Sequence, residues 1–141
     1  MPDKIRAYCR ETGQPEPTSV GEIVRCALES LALEYRWVAE RLSELTGLAL
    51  PVIHIIGGGS QNALLNQLTA DATCRRVVAG PVEATALGNV LVQALAAGRV
   101  ASLTEGRALV ARAFETHDVT PRPDDRWAGA YAAYEKRRGP G

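Results

Sequence analysis

The fold is decided by residues 51–66, which read PVIHIIGGGSQNALLN. The first six predict a short strand, the three glycines a turn, and the residues after them the start of a helix. Apolar side chains fall on both faces of the strand, at Val52, Ile53, Ile55 and Ile56. We therefore expect both faces to be covered, as in a parallel strand inside an α/β layer.

The three glycines, Gly57, Gly58 and Gly59, leave the backbone bare where the strand ends and the helix begins. A phosphate group can approach such a corner closely, because unpaired helix amides and the positive end of the helix dipole face it. A tight turn without any ligand explains the same residues equally well. The residues alone therefore leave a nucleotide site and a plain turn as alternatives.

Two common phosphate-binding loops do not fit this stretch. A Walker loop ends in Gly-Lys-Ser/Thr, whereas the lysines of this chain are Lys4 and Lys136. A dinucleotide-binding loop needs a third glycine at the position of Asn62. Any nucleotide must bind here by another scheme.

Composition predicts one globular domain and excludes several classes of partner. The chain has 141 residues, 46% of them hydrophobic, which is enough for a single core. Sixteen basic and sixteen acidic side chains cancel, so no positive field attracts nucleic acid or anionic lipid. The three cysteines, Cys9, Cys26 and Cys74, are far apart in sequence and form no C-x-x-C pair. We expect free thiols in a reducing cytoplasm and no metal site.

The sequence predicts no membrane segment. Its first six residues lack the apolar core of a signal peptide. Residues 45–70 carry no charge and are long enough to cross a bilayer, but Pro51, three glycines and four amide side chains interrupt them. We therefore expect a cytoplasmic protein without a membrane partner.

The clearest predicted helix begins at the capping box Ser19-Val20-Gly21-Glu22 and ends before Gly47. Its large apolar residues are spaced alternately by four and three and form one seam: Val24, Leu28, Leu31, Tyr35, Val38, Leu42 and Leu45. We interpret this seam as the face that packs on the chain's own core, because alanines widen the apolar surface beyond a two-stranded stripe. Coiled-coil association is the alternative.

The rest of the chain predicts one more strand and further helices. Residues 76–79 are the strand, residues 83–97 and 104–114 are helical, and Asp124-Asp125 begins a last helix with an aromatic packing face. Prolines exclude regular structure from residues 116–123. Strand, helix and strand with short links predict two parallel strands, with any ligand beyond their carboxyl ends.

Two parallel strands do not make a self-sufficient sheet, because parallel ladders are normally buried within several strands. We therefore expect the remaining strands to belong to other sequence of a longer protein. On this interpretation Met1 is an internal methionine or an introduced start.

No catalytic constellation is evident in the sequence. We expect His54 to be a packed or edge histidine, and His117 beside Asp118 to be unrelated to catalysis. Asp71 is predicted to face solvent, opposite the leucines of its helix. Glu83 lies near a turn that can meet a ligand, but an acid at a helix start is sufficiently explained by the helix dipole. The chain is therefore expected to bind a ligand and not to carry out chemistry.

Two blocks of the sequence, IHIIGGGSQN at 53–62 and VAGPVEATALGN at 78–89, resemble the adenosine segment of FGGY-type carbohydrate kinases. The similarity extends to RCALESLA at 25–32 and to Tyr8-Cys9, and so covers most of the chain. The Gly-Gly-Gly-x-Gln-Asn and Gly-Pro-Val-Glu-Ala blocks are most similar to the branch of that family that phosphorylates L-rhamnulose.

This resemblance implies a fold class: an α/β, helix-rich fragment of an actin-like ATPase (ribonuclease H-like) domain with a small parallel sheet. Residues 1–141 would form part of a C-terminal nucleotide-binding domain, with a frayed tail at 138–141. The full-length enzyme would use ATP and Mg²⁺ to phosphorylate a ketose, giving L-rhamnulose 1-phosphate in that branch. Its partners would be ATP, the ketose and the missing N-terminal domain, and the fragment could self-associate.

The resemblance also assigns the site residues. Gly58 would back onto the phosphates and ribose, Gly57 and Gly59 would shape the turn, and Asn62, one turn into the helix, would contact the adenosine moiety. The family's catalytic aspartate, first phosphate loop and sugar pocket have no counterpart here, so we expect no catalytic residue in this chain and no activity from it alone. The competing hypothesis is a non-catalytic helical module that associates through the seam from Val24 to Leu45.

Overall fold

Helices alternate with short strands in the computed structural model, which describes residues 1–138. The helices are α1 (Pro2–Glu11), α2 (Val20–Thr46), α3 (Ala63–Thr73), α4 (Ala84–Ala96), α5 (Leu103–Ala113) and α6 (Arg126–Arg138). The strands are β1 (Val52–Ile55), β2 (Arg76–Ala79) and β3 (His117–Val119). The predicted frayed tail begins at the last residue of α6, and residues 139–141 lie outside the described part.

The three strands form one mixed sheet in the order β1-β2-β3. β1 and β2 are parallel, with Val52 opposite Arg76 and Ile55 opposite Ala79, as predicted. β3 is antiparallel to β2, with His117 opposite Ala79. The prediction of a purely parallel sheet, with no regular structure over residues 116–123, is therefore wrong. Pro121 and Pro123 lie beyond β3 and leave its own amides free to pair.

Helix α3 is the centre of the molecule and contacts β2, β3, α2 and α6. Eight of its eleven residues are buried. Two of them are threonines whose hydroxyls donate to carbonyl oxygens four residues earlier, Thr69 to Leu65 at 2.8 Å and Thr73 to Thr69 at 2.7 Å. These bonds satisfy the hydroxyls inside the core, so the position of α3 is fixed by packing on most of its surface.

Helix α2 begins and ends where its capping signals predict. The Ser19 hydroxyl accepts a hydrogen bond from the Glu22 amide at 3.2 Å, and the Glu22 carboxylate accepts one from the Ser19 amide at 3.0 Å. Gly47 closes the helix with φ 67°. The Ser19 amide, followed by the hydroxyl and amide of Thr18, lowers the pKa of Glu22 to about 2.

The buried face of α2 differs from the prediction. Most of the seam faces outward: Leu42 is 46% exposed, Leu45 84% and Val24 50%. Leu28 is the exception and packs against the main apolar cluster. The buried residues of α2 are instead Ile23, Ala32 and Ala39. Alanines let the backbones of α2 and α3 approach closely, because there is no long side chain between them. The prediction that the seam packs on the chain's own core is therefore wrong for every residue of the seam except Leu28.

Helix α6 closes the core with its aromatic residues, as predicted. Trp127 packs with Ala32, Leu68 and Ala72 in the main apolar cluster. Tyr131 is 5% exposed, and its hydroxyl donates to the Glu40 carboxylate at 2.6 Å. The aromatic stripe is therefore a packing face that joins α6 to α2 and α3.

The α4–α5 pair is the least buried part of the fold. These two helices pack on each other, and a Cβ at Gly106 of α5 would lie 2.9 Å from the Leu91 side chain. No residue of α4 is fully buried, and Val90 is 62% exposed. Among residues 1–138, none of the helices combines the length and apolar character needed to cross a membrane.

Candidate functional site

The carboxyl ends of β1 and β2 lie side by side because the strands are parallel. Two hydrogen bonds join the loops that follow them. The Gly80 amide donates to the Ile55 carbonyl at 2.8 Å, and the Gly57 amide donates to the Pro81 carbonyl at 3.2 Å. The glycine segment and the Gly-Pro segment of the sequence are thus brought together at one edge of the sheet, where ligands of α/β folds bind.

Two glycines are required by the backbone of this edge. Gly57 has φ 77° and ψ −162°, a conformation essentially restricted to glycine. Gly80 has φ 110°, and a Cβ there would lie 3.1 Å from the Glu115 carbonyl oxygen. Both positions therefore serve the turn itself.

A 3-10 turn, Gly58–Gln61, separates β1 from α3. We call residues 57–62 the glycine corner. Two buried polar side chains hold the glycine corner in place. The Ser60 hydroxyl donates to the Gly57 carbonyl at 2.7 Å, and the Asn66 side-chain amide donates to the Ser60 carbonyl at 2.8 Å. The Asn66 Oδ1 atom is buried without a partner in residues 1–138. The sequence showed these polar residues but not their contacts.

Asn62 is the N-cap of α3, and the prediction that it lies one turn into the helix is wrong. Its Oδ1 atom accepts a hydrogen bond from the Leu65 amide at 3.0 Å. The 3-10 turn takes up the residues that were predicted to be the first helical turn. Asn62 therefore remains on the exposed surface of the corner, next to the glycines.

The outer face of the corner is open. A Cβ placed on Gly58 would meet nothing within 4 Å, and one on Gly59 would have the Ile55 methyl as its nearest neighbour, at 3.9 Å. Within residues 1–138, the amides of Gly58, Gly59, Ala63 and Leu64 donate to no acceptor. Such unpaired amides at a helix start form a site for an anion.

The corner carries no charged side chain of its own, since residues 45–70 contain none. The nearest acid along the second loop is Glu83, which occupies the N-cap of α4 and makes no capping hydrogen bond. Over the described residues, no group of three or more His, Cys, Asp or Glu side chains could hold a metal ion. An anion here would be held by amides and the helix dipole, not by cationic side chains.

The remaining residues considered in the sequence lie elsewhere. His54 is exposed on β1 and His117 is exposed on β3. Asp71 is 7% exposed, so its predicted solvent position is wrong. Its carboxylate accepts hydrogen bonds from the Arg122 amide at 2.8 Å, the Arg122 Nη2 atom at 3.1 Å and the Gln67 side chain at 2.7 Å. Asp71 therefore fastens the segment before α6 onto α3.

A cavity of about 600 Å³ lies between α2, α3 and the start of α6. Its lining includes Leu64, Leu68, Asp71 and Trp127, but no glycine of the corner. The glycine corner is thus an open surface, and a ligand bound there would be covered from one side only.

Comparison with known proteins gives one family. The C-terminal domain model of the FGGY family of carbohydrate kinases matches residues 1–97. The rhamnulokinase of Bacteroides thetaiotaomicron is 47% identical over 135 residues, which are 96% of this chain and 28% of that protein. The rhamnulokinases of Pectobacterium carotovorum and Pectobacterium atrosepticum are also 47% identical over 135 residues, again 96% of this chain. The chain spans about 28% of the length of the curated relatives it matches.

Proposed function

Because this chain belongs to the FGGY family of carbohydrate kinases, we propose that it is the ATP-binding C-terminal portion of a sugar kinase. The full-length protein would transfer the γ-phosphoryl group of ATP to a sugar hydroxyl. The relatives reported above carry the name rhamnulokinase, so the proposed substrate is L-rhamnulose and the product L-rhamnulose 1-phosphate. ATP and free thiols both suit the cytoplasm, where we expect the protein to act.

The observation that carries the proposal is the open glycine corner at the ends of two parallel strands. Gly58 leaves room for the phosphates and ribose to approach the backbone, since no atom lies within 4 Å of its Cβ position. The unpaired amides of Gly58 and Gly59 supply donors, and the start of α3 supplies the positive end of a dipole. Gly57 shapes the turn that exposes the amides of Gly58 and Gly59.

Asn62 is proposed to contact the adenosine moiety. Its Oδ1 atom accepts a hydrogen bond from the Leu65 amide, whereas its Nδ2 group has no hydrogen-bond acceptor within residues 1–138. That group therefore faces the ligand as a hydrogen-bond donor, and the cap holds it in one orientation.

The chemistry is proposed to depend on groups outside this chain. The described residues hold no group of three or more His, Cys, Asp or Glu side chains for a metal ion, so we assign no Mg²⁺ ligand to this chain and derive no step through the ion. What this chain contributes is to bind and orient the nucleotide until another domain closes over it. We assign no catalytic residue here and expect the chain alone to phosphorylate no sugar.

An ATP titration of the full-length protein tests the site. Replacing Gly58 with leucine should weaken ATP binding at least about tenfold, because the side chain occupies the space proposed for the phosphates. Gly129→Leu is the matched control: Gly129 lies on α6, and its Cβ position is equally free of neighbours. Equal affinities for the two variants would overturn the site assignment.

A second candidate function, association through the seam, is favoured by the exposure of the seam. Leu31, Val38 and Leu42 are each at least 40% exposed, which is unusual for a helical stripe of this regularity. If this is an association surface, sedimentation of the chain should show a species larger than the monomer, and Leu42→Glu should shift it to the monomer. A monomer at all concentrations would remove this alternative.

A further inference from the structure

The peptide bond between Gly57 and Gly58 has no side chain on either side of it. Glycines place few steric limits on their backbone angles, so local sterics do not decide which way this peptide faces. The proposed nucleotide site nevertheless requires one direction, because the Gly58 N–H is one of the amides proposed to meet the phosphates. That direction must therefore be set by contacts with other residues.

Ser60 fixes the carbonyl half of this peptide. The Gly57 carbonyl oxygen accepts one hydrogen bond from the Ser60 amide at 3.0 Å and another from the Ser60 hydroxyl at 2.7 Å. The peptide is trans, since the cis peptide of the described residues is the one before Pro81, and in a trans peptide the C=O and N–H groups point in opposite directions. The Gly58 N–H therefore points away from Ser60, where it meets no acceptor within residues 1–138.

Asn66 of α3 in turn fixes Ser60. Its side-chain amide donates to the Ser60 carbonyl at 2.8 Å, and its backbone amide donates to the Asn62 carbonyl at 3.0 Å. One residue of the central helix thus holds the glycine corner at two points.

Burial makes these side-chain contacts effective. Ser60 is 6% exposed and Asn66 is 3% exposed, so water competes little for their hydrogen-bonding groups. The Asn66 Oδ1 atom has no partner in the part of the chain that the structure describes. A leucine of similar shape would avoid burying an unpaired oxygen, so stability alone does not account for an asparagine at this position.

We propose that Asn66 and Ser60 are positioning residues, which hold the Gly58 amide in the direction that a phosphate group of the nucleotide requires. Asn66 holds the Ser60 carbonyl, Ser60 holds the Gly57 carbonyl, and the Gly58 N–H is directed outward before ATP arrives. The donor is then preorganised, so that binding does not have to restrict a freely rotating peptide. The inference rests on the proposed nucleotide site and adds the residues that orient one of its donors.

Titration of the full-length protein with ATP and, separately, with adenosine tests the two residues. Ser60→Ala and Asn66→Leu should each weaken ATP binding about three- to tenfold, because a hydrogen bond that holds the peptide is lost. Adenosine has no phosphate for the Gly58 amide to meet, so its affinity should change by less than about twofold. In the double variant, ATP binding should be no weaker than in the weaker of the two single variants, since both residues act through the same peptide.

Thr73→Val is the matched control. Thr73 is a polar residue of the same helix, 6% exposed, and its hydroxyl donates to the Thr69 carbonyl, which is not part of the glycine corner. This variant also loses a buried hydrogen bond of α3, and it should leave the affinities for ATP and adenosine unchanged.

Two results would overturn the positioning role: an unchanged ATP affinity in Ser60→Ala, or equal losses of ATP and adenosine affinity, which a general loss of structure produces. Losses that multiply in the double variant would also contradict it. Ser60→Ala removes a single oxygen atom, so it decides the question even if Asn66→Leu does not fold.

The Gly58→Leu variant separates this inference from the nucleotide site itself. If Gly58→Leu binds ATP as tightly as Gly129→Leu does, the site assignment fails. If Gly58→Leu binds ATP more weakly while Ser60→Ala and Asn66→Leu do not, the site stands and the positioning role alone is overturned.

Discussion

Neighbouring glycines of the corner are glycine for different physical reasons. Gly57 adopts a backbone conformation that a side chain would strain. Gly58 has a φ outside the left-handed region and open space at its Cβ position. The structure therefore separates a glycine that the turn requires from one that the turn does not require.

Substitution by alanine should distinguish the two glycines. Gly57→Ala is expected to lower the free energy of unfolding by about 1–3 kcal/mol, because alanine is forced into a disfavoured backbone conformation. Gly58→Ala should change it by less than about 0.5 kcal/mol. Urea unfolding of both variants measures the difference, and equal losses would contradict the separation.

At the scale of residues, the sequence predicts what local spacing determines. The three glycines were identified because they follow an apolar strand, whereas Asn62 was assigned from the family resemblance. The environment of Asp71 could not be predicted, because the main partner of its carboxylate, Arg122, lies 51 residues further along. The spacing of residues within one helix contains no information about a contact between residues so far apart in the sequence.

At the scale of elements, local sequence signals predict where α2 begins and ends but not which of its faces is buried. Its ends follow from Ser19, Glu22 and Gly47, all of which act within one turn. Its orientation depends on which neighbours are present. The helix is apolar over a wide arc. The small side chain of Ala32 packs against Leu68 and Ala72 of α3, whereas six of the seven seam residues are exposed in the part of the chain that the structure describes.

The capping box of α2 predicts a pH dependence of stability. The pKa of Glu22 is lowered from 4.5 to about 2 in the folded chain, so the folded state holds this proton less readily than the unfolded state. The stabilisation is therefore fully present above about pH 4.5 and is lost as the pH falls to about 2. The melting temperature of Glu22→Gln should lie below that of the unmodified chain near neutral pH.

The two melting temperatures should converge as the solution is acidified through this range. A difference that is independent of pH would show that the carboxylate charge does not stabilise the helix start.

At the scale of the whole molecule, the sheet is the part that the sequence predicted least completely. β1 and β2 were predicted because each is a short apolar run followed by glycine. β3 has no such pattern: His117 and Asp118 are exposed, and the strand exists because β2 offers an edge to it. Pairing between distant segments is decided by tertiary structure, which local propensity does not contain.

The opposite edge of the sheet is formed by β1, which pairs with β2 alone in the part of the chain that the structure describes. Together with the outward-facing seam, this edge leaves apolar surface in contact with solvent. The prediction that further strands come from outside this chain stays a prediction, and it agrees with the short span of the chain relative to its curated relatives.

The most direct test of the proposed nucleotide site is hydrogen–deuterium exchange of the full-length protein with and without ATP. We expect slower exchange on ATP binding at the amides of Gly58, Gly59, Ala63 and Leu64, with no change across α5. Saturating ATP that leaves exchange at these four amides unaltered would contradict it.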